Sequence, residues 1–323
     1  QLTDKPIDIY VDKADQDTVY VLGSSAGDMT SYTPEGEPLD FYPVLWGNRG
    51  FTIDQQGRFV IAGGGSILVV SKQGEILQNL TSGFGEADGH LRNVTDVAFR
   101  SDGKLVVSDT GNKRIQIFDY PVEAEPNSQG LTPLTLVAAY GAGVNQQTSL
   151  KKYEVCTQNC KAGIDYYADV PADGSQMGVF SEPATISIDG NDNLFVADSN
   201  TGFVNVFDKD GRPIEQFSSE GALKANGIAL NQDGTAYVAD AATNTIKFYS
   251  HVIAGTTNCI GNGLQRAGCI AVPSNEADAY FQNQESPIFS GWDGSWVFGD
   301  GLPTLKEVPV SADKPTGLVA VRD

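Results

Sequence analysis

Histidine is nearly absent from this chain: there are two among 323 residues, His90 and His251. Metal and acid–base chemistries that need several imidazoles are therefore poorly served. Cysteine is also sparse, with four residues in two local pairs, Cys156/Cys160 and Cys259/Cys269. Neither pair has a histidine beside it, which argues against a Cys/His zinc site. Basic side chains number 21 against 41 acidic ones, a formal charge of −20. That balance repels phosphate backbones and anionic lipid, so nucleic acid is excluded as a partner. No run of eighteen apolar residues occurs, so no helical membrane span is expected. A phosphate-binding glycine loop is missing, and Gly63-Gly64-Gly65 sits in a strand-turn setting.

The composition supports a folded chain. Apolar residues make up 40% and charged residues 19%, enough for a large core. The 36 glycines and 15 prolines are spread along the chain, as many tight turns between short strands require. The even cysteine count, in Gly- and Asn-rich surroundings, favours disulfides and hence an oxidising compartment. The chain is expected to be secreted, at the cell surface or periplasmic. It begins at Gln1, consistent with a removed signal peptide or a trimmed start.

One unit recurs. Its clearest copies run from Val97-Ala98-Phe99 to Val107-Ser108-Asp109, from Ile186-Ser187-Ile188 to Val196-Ala197-Asp198, and from Gly227-Ile228-Ala229-Leu230 to Val238-Ala239-Asp240. Each is an apolar strand, a polar turn, and a second apolar strand ending in Asp. A third strand follows: Ile115-Gln116-Ile117-Phe118, Val204-Asn205-Val206-Phe207 or Ile246-Lys247-Phe248-Tyr249. Fourth strands include Glu75-Ile76-Leu77, Leu134-Thr135-Leu136-Val137 and Ile214-Glu215-Gln216-Phe217. Such a unit is a four-stranded antiparallel meander that must stack on its own copies. The second strands are almost continuously apolar, as strands dry on both faces must be. Bulky Phe118, Phe207 and Tyr249 suit strands that splay outward from an axis.

The second strands end at Gly23, Gly63, Asp109, Asp198, Asp240 and, less clearly, Asp300, giving gaps of 40, 46, 89, 42 and 60 residues. The gap of 89 reads as one repeat plus an insertion, because 143–180 shows no paired apolar strands. The expected architecture is therefore all-β: a six-bladed β-propeller of four-stranded antiparallel blades, a single unit over 1–323. Its loop insertions fall at about 142–181 and 251–285. The C-terminal 315–323 resembles a first strand and is expected to pair with N-terminal strands and close the ring. The rival expectation is a chain that once continued.

The string from Val94-Thr95-Asp96-Val97 through Gln116-Ile117-Phe118-Asp119 strongly resembles an NHL repeat, and 183–208 and 225–250 are similar to two more. Resemblance to NHL proteins implies the six-bladed propeller. It implies no single activity, since the fold hosts receptors, scaffolds, RNA binders and lyases. Amidating and antibiotic-opening lyases of related folds rely on histidines that this chain lacks. Propeller lactonases bind a divalent ion through Glu, Asn and Asp at the axis, and no matching motif stands out here.

Asp109, Asp198 and Asp240 recur at equivalent positions. A ring of cation ligands and a turn-capping role are both chemically open. Repetition favours capping, because a structural role recurs in every blade. Asp189-Gly190-Asn191-Asp192-Asn193 is the densest oxygen cluster and reads as a hairpin turn, where a Ca²⁺ would be adventitious or structural. No other cofactor is expected. His90, in Phe84-Gly85-Glu86-Ala87-Asp88-Gly89-His90, reads as a loop residue. Sequons at Asn79 and Asn93 are candidate glycosylation sites. The two insertions are the functional lead: disulfides would stiffen them, with Tyr153, Tyr166, Tyr167, Tyr280 and Phe281 as interaction anchors. The expected role is a non-catalytic scaffold binding a protein partner or extracellular assembly, without membrane insertion. The alternative is a metal-dependent lyase or lactonase acting at the axis.

Overall fold

A computed structural model describes residues 6–23, 28–43, 49–148, 152–166, 177–217, 225–230, 235–240 and 245–250, with short strands at 296–297, 304–305 and 319–321. Blade 1 contains β1 (Pro6–Asp12), β2 (Thr18–Gly23), β3 (Asp28–Tyr32) and β4 (Pro38–Pro43). Blade 2 contains β5 (Gly50–Ile53), β6 (Phe59–Gly63), β7 (Ser66–Val70) and β8 (Ile76–Leu80). Blade 3 contains β9 (Val94–Phe99), β10 (Leu105–Asp109), β11 (Arg114–Asp119), β12 (Thr135–Ala142) and β13 (Tyr153–Cys156). Blade 4 contains β14 (Pro183–Ile188), β15 (Leu194–Asp198), β16 (Val204–Phe207) and β17 (Pro213–Phe217). Blade 5 contains β18 (Ala225–Leu230), β19 (Thr235–Asp240) and β20 (Thr245–Ser250). Within each blade these strands run in chain order and pair antiparallel.

The blade count corrects the expectation of six: the described residues form five blades. Where the sixth was expected, the described residues pair only as two-residue strands, β21 (Trp296–Val297) with β22 (Thr304–Leu305). The sequence joining them, Phe298-Gly299-Asp300-Gly301-Leu302-Pro303, is poor in ladder-forming residues, and Pro303 has no amide to donate. The C-terminal β23 (Val319–Val321) does pair with β1, in parallel, and also lies against β18. The insertion after blade 3 also differs from the loop expected: β13 emerges from it and adds a fifth strand antiparallel to β12. Tyr153-Glu154-Val155-Cys156 is too short and too mixed in polarity to announce itself as a strand.

The core lies between blades rather than within them. Val60, Ala62 and Ile67 of blade 2 share one apolar layer with Val97, Leu105 and Val107 of blade 3. Val106, Ile115 and Ile117, on the opposite face of blade 3, meet Ile186, Val196 and Phe207 of blade 4. Tyr20, Leu22 and Met29 meet Phe51, Phe59 and Ile61 across the first seam, and Phe195 and Val206 meet Ile228 and Val238 across the fourth. Successive side chains of a strand point to opposite faces, so a second strand such as Leu105-Val106-Val107 must be apolar throughout to serve two seams. Each fully buried Val, Leu, Ile or Phe contributes roughly 1.5–3 kcal/mol.

Turn chemistry fixes the hairpins. Gly103 and Gly211 adopt φ of +79° and +81°, and each amide bonds back across a tight turn to Arg100 or Asp208. Gly211 is doubly constrained, since a Cβ there would lie 2.4 Å from the Tyr140 ring.

Candidate functional site

The first strands β1, β5, β9, β14 and β18 lie side by side in chain order and surround an axial cavity of about 570 Å³. Asp8, Gly50, Asp96, Thr185 and Gly227 occupy one register there. Each pairs with the residue just before the end of its second strand: Leu22, Ala62, Ser108, Ala197 and Ala239. In β1, β9, β14 and β18 an irregularity in register directly precedes this residue. The two aspartates bind blades together. Phe51 N–H donates to Asp8 Oδ2 and Ile186 N–H donates to Asp96 Oδ2, each over 2.8 Å. A Cβ at Gly50 would come within 2.6 Å of Asp96 Oδ1, so the smallest residue accommodates the neighbouring carboxylate. These two residues were not singled out in the sequence. The shared pattern Asp8-Ile9 and Asp96-Val97, at the third residue of each first strand, was the available signal.

Two of the strand-ending aspartates, Asp109 and Asp198, cap the loops that enter their blades. Asp198 is fully buried and accepts main-chain N–H groups from Ser181, Glu182, Asn200 and Thr201. Asp109 accepts from Arg92 N–H and from the side chains of Asn112, Arg114 and Gln116. Asp240 pairs with Lys247 Nζ at 2.8 Å. These carboxylates serve structure, as their repetition suggested. Among the described residues no group of three His, Cys, Asp or Glu is placed to hold a metal ion. In the 189–193 cluster Asp189 forms the turn, accepting from Asn191 and Asn193, whereas Asp192 accepts from Ser101 in the β9–β10 turn of blade 3.

Arg114 carries the loop that joins blades 2 and 3. Its side chain is fully buried, with Nε 2.8 Å from Asp109 Oδ2. Nη1 donates to the Glu86 carbonyl, and Nη2 to those of Ala87 and His90. Asn112 Nδ2 donates to Gly85 O, and Gln116 Nε2 to His90 O. Five donations from three buried side chains thus hold the main chain between Gly85 and His90. His90 turns its Nδ1 to the Asp88 carbonyl. Phe84, on the same loop, is 73% exposed.

The disulfide-closed loop docks onto this one. Cys156 and Cys160 are joined and buried against Ala139 and Val144. Asn159 N–H and Cys160 N–H donate to the two oxygens of Asp88, at 2.8 and 2.6 Å. Tyr153 packs on Phe207 and its hydroxyl donates to the Gly211 carbonyl, so its ring closes a seam between blades. Tyr166 packs on Phe203. Cys259, Cys269, Tyr167, Tyr280 and Phe281 lie outside the described residues, as does the 251–285 insertion. Of the two sequons, Asn79 buries its amide oxygen within β8, whereas Asn93 is exposed beside the axial cavity.

Residues 91–118, which span β9 to β11, match the NHL repeat family model. No curated protein matches. Solved structures similar to this chain include a protein of unknown function from Bacteroides caccae, at 13% identity, TM-score 0.43, covering 74% of this chain and 72% of that one. A virginiamycin B lyase from Staphylococcus aureus is similar at 12% identity and TM-score 0.46, covering 78% and 86%. A catalytically inactive form of that lyase with quinupristin gives 13%, 0.45, 77% and 68%. The chain thus carries a segment, 91–118, that matches the NHL repeat, and the strands of that segment form part of one blade of a β-propeller.

Proposed function

We propose that this protein is a non-catalytic scaffold, secreted, at the cell surface or periplasmic, that binds a protein partner or an extracellular assembly. One observation carries the reading: Asp88 joins the inter-blade loop and the disulfide-closed loop into one fixed surface. Such a surface loses little conformational freedom on binding, which favours affinity. The acidic surface disfavours nucleic acid, and among the described residues no helix is long and apolar enough to cross a membrane. The axial cavity keeps a metal-dependent lyase or lactonase as the rival reading. Against that rival, Asp8 and Asp96 are committed to the amides of neighbouring blades.

Affinity capture from the source's extracellular or periplasmic fraction tests the proposal. The intact chain should retain a defined partner that is lost when 157–159 is replaced by a Gly-Ser linker, with the circular dichroism spectrum unchanged. Capture that ignores this replacement, or turnover abolished by a chelator and restored by one divalent metal, would overturn it.

A further inference from the structure

We infer that Phe84 is a preorganised anchor that inserts into an apolar pocket with a cationic rim on a protein partner. The inference deepens the scaffold reading and rests on it. A phenyl ring left 73% exposed is unfavourable in isolation, and Phe84 is the most exposed large apolar residue described. Its loop is nevertheless among the most firmly held segments. Arg114, Asn112 and Gln116, all fully buried, direct five donors to the carbonyls of Gly85, Glu86, Ala87 and His90. The ring's base is fixed as well, because it lies over Gly65, where any Cβ would come 2.9 Å from Phe84 Cδ2. Gly85 N–H donates to the Leu91 carbonyl, and Leu91 N–H to that of Gly83, so the loop is closed on both sides of Phe84. A rigid aromatic side chain has little entropy to lose on insertion, which is the property of a binding hot spot. The rim follows from charge. Glu86 lies two residues away, is 58% exposed and pairs with Arg92 at 3.7 Å, Asp88 adds a second carboxylate to the same loop, and the whole chain carries −20. A partner pocket bordered by Lys or Arg is attracted, and an acidic border is repelled.

Cyclodextrins supply that pocket in defined form. The full chain is titrated with β-cyclodextrin bearing primary ammonium groups, with the neutral host and with the carboxymethyl host, by calorimetry and ¹H NMR. The ammonium host is expected to bind at the Phe84 ring at least tenfold more tightly than the carboxymethyl host. Phe84→Ser should abolish that binding without changing the melting temperature. Phe41→Ser, which removes an exposed ring of blade 1, should leave it intact. Binding that survives Phe84→Ser, that is lost equally with Phe41→Ser, that shows no preference for the cationic rim, or that is absent for every host overturns the inference. Such an outcome would leave the partner capture described above as a separate result.

Discussion

Arg114 and Asp109 meet at 2.8 Å with neither side chain reaching solvent, and together they connect the end of one strand to a loop that entered the blade some twenty residues earlier. Breaking a buried pair by deleting one partner typically costs about 3–5 kcal/mol, because the other charge is left unpaired. Asp109→Ala and Arg114→Met are each expected to lower the stability measured by urea unfolding by that order. The double variant should cost at least about 1 kcal/mol less than the sum of the singles. Additive losses would mean that the two side chains act independently.

Gly103 and Gly211 separate conformational strain from collision. Both have φ near +80°, but a Cβ at Gly103 meets nothing within 4 Å, while one at Gly211 meets the Tyr140 ring. Gly103→Ala should cost about 1–2 kcal/mol, the usual penalty of a left-handed non-glycine residue. Gly211→Ala should cost about 1–3 kcal/mol more, since the ring must move. Equal thermal shifts for the two variants would remove Tyr140 from the account.

The latch between blades 1 and 2 predicts a loss of stability in alkali. Burial pushes the Tyr20 phenol up to about 12 from its ordinary 10.0, although the Lys72 ammonium bonded to it works the other way. Burial opposes the charge on Lys72, yet the Tyr20 hydroxyl and Asp15 hold its ammonium above the ordinary lysine range. Both groups are raised in the folded state, so their stabilisation is complete below pH 10 and is lost as pH climbs through the folded values. The urea midpoint should fall between pH 10 and 12, less steeply in Tyr20→Phe. Asp15 works at the other end: its hydrogen bond from Lys72 lowers its pKa, so its contribution disappears as pH drops below the ordinary carboxylate range.

Asp88→Ala should free the disulfide-closed loop without unfolding the protein. Its two acceptor oxygens hold the amides of Asn159 and Cys160. Hydrogen exchange at those amides should quicken at least tenfold, while amides of β10 keep their protection. Unchanged exchange at Asn159 would show that the disulfide alone fixes the loop.

Local repetition made much of this legible in the sequence. Apolar strands separated by polar turns located the strands of blades 3 to 5, and the recurrence of Asp109, Asp198 and Asp240 marked them as structural. Long-range pairing was not legible. Arg114 bonds carbonyls more than twenty residues upstream, and no period or motif announces such a partner. Phe84 was visible only as part of a loop, because exposure depends on what the fold fails to cover. The blade count failed for a related reason: Asp300 was counted as a strand end, although among the described residues of that stretch only Trp296–Val297 and Thr304–Leu305 pair.

Ownership of each apolar seam by two blades makes neighbours hostage to one another. A blade lifted out of the ring would strip its companions on both sides, so melting should spread laterally as one event rather than sheet by sheet. Evolution would then alter Val107 or Val196 in step with residues on the facing sheet, and a transplanted blade would succeed only when it brought its partners' inner surfaces with it.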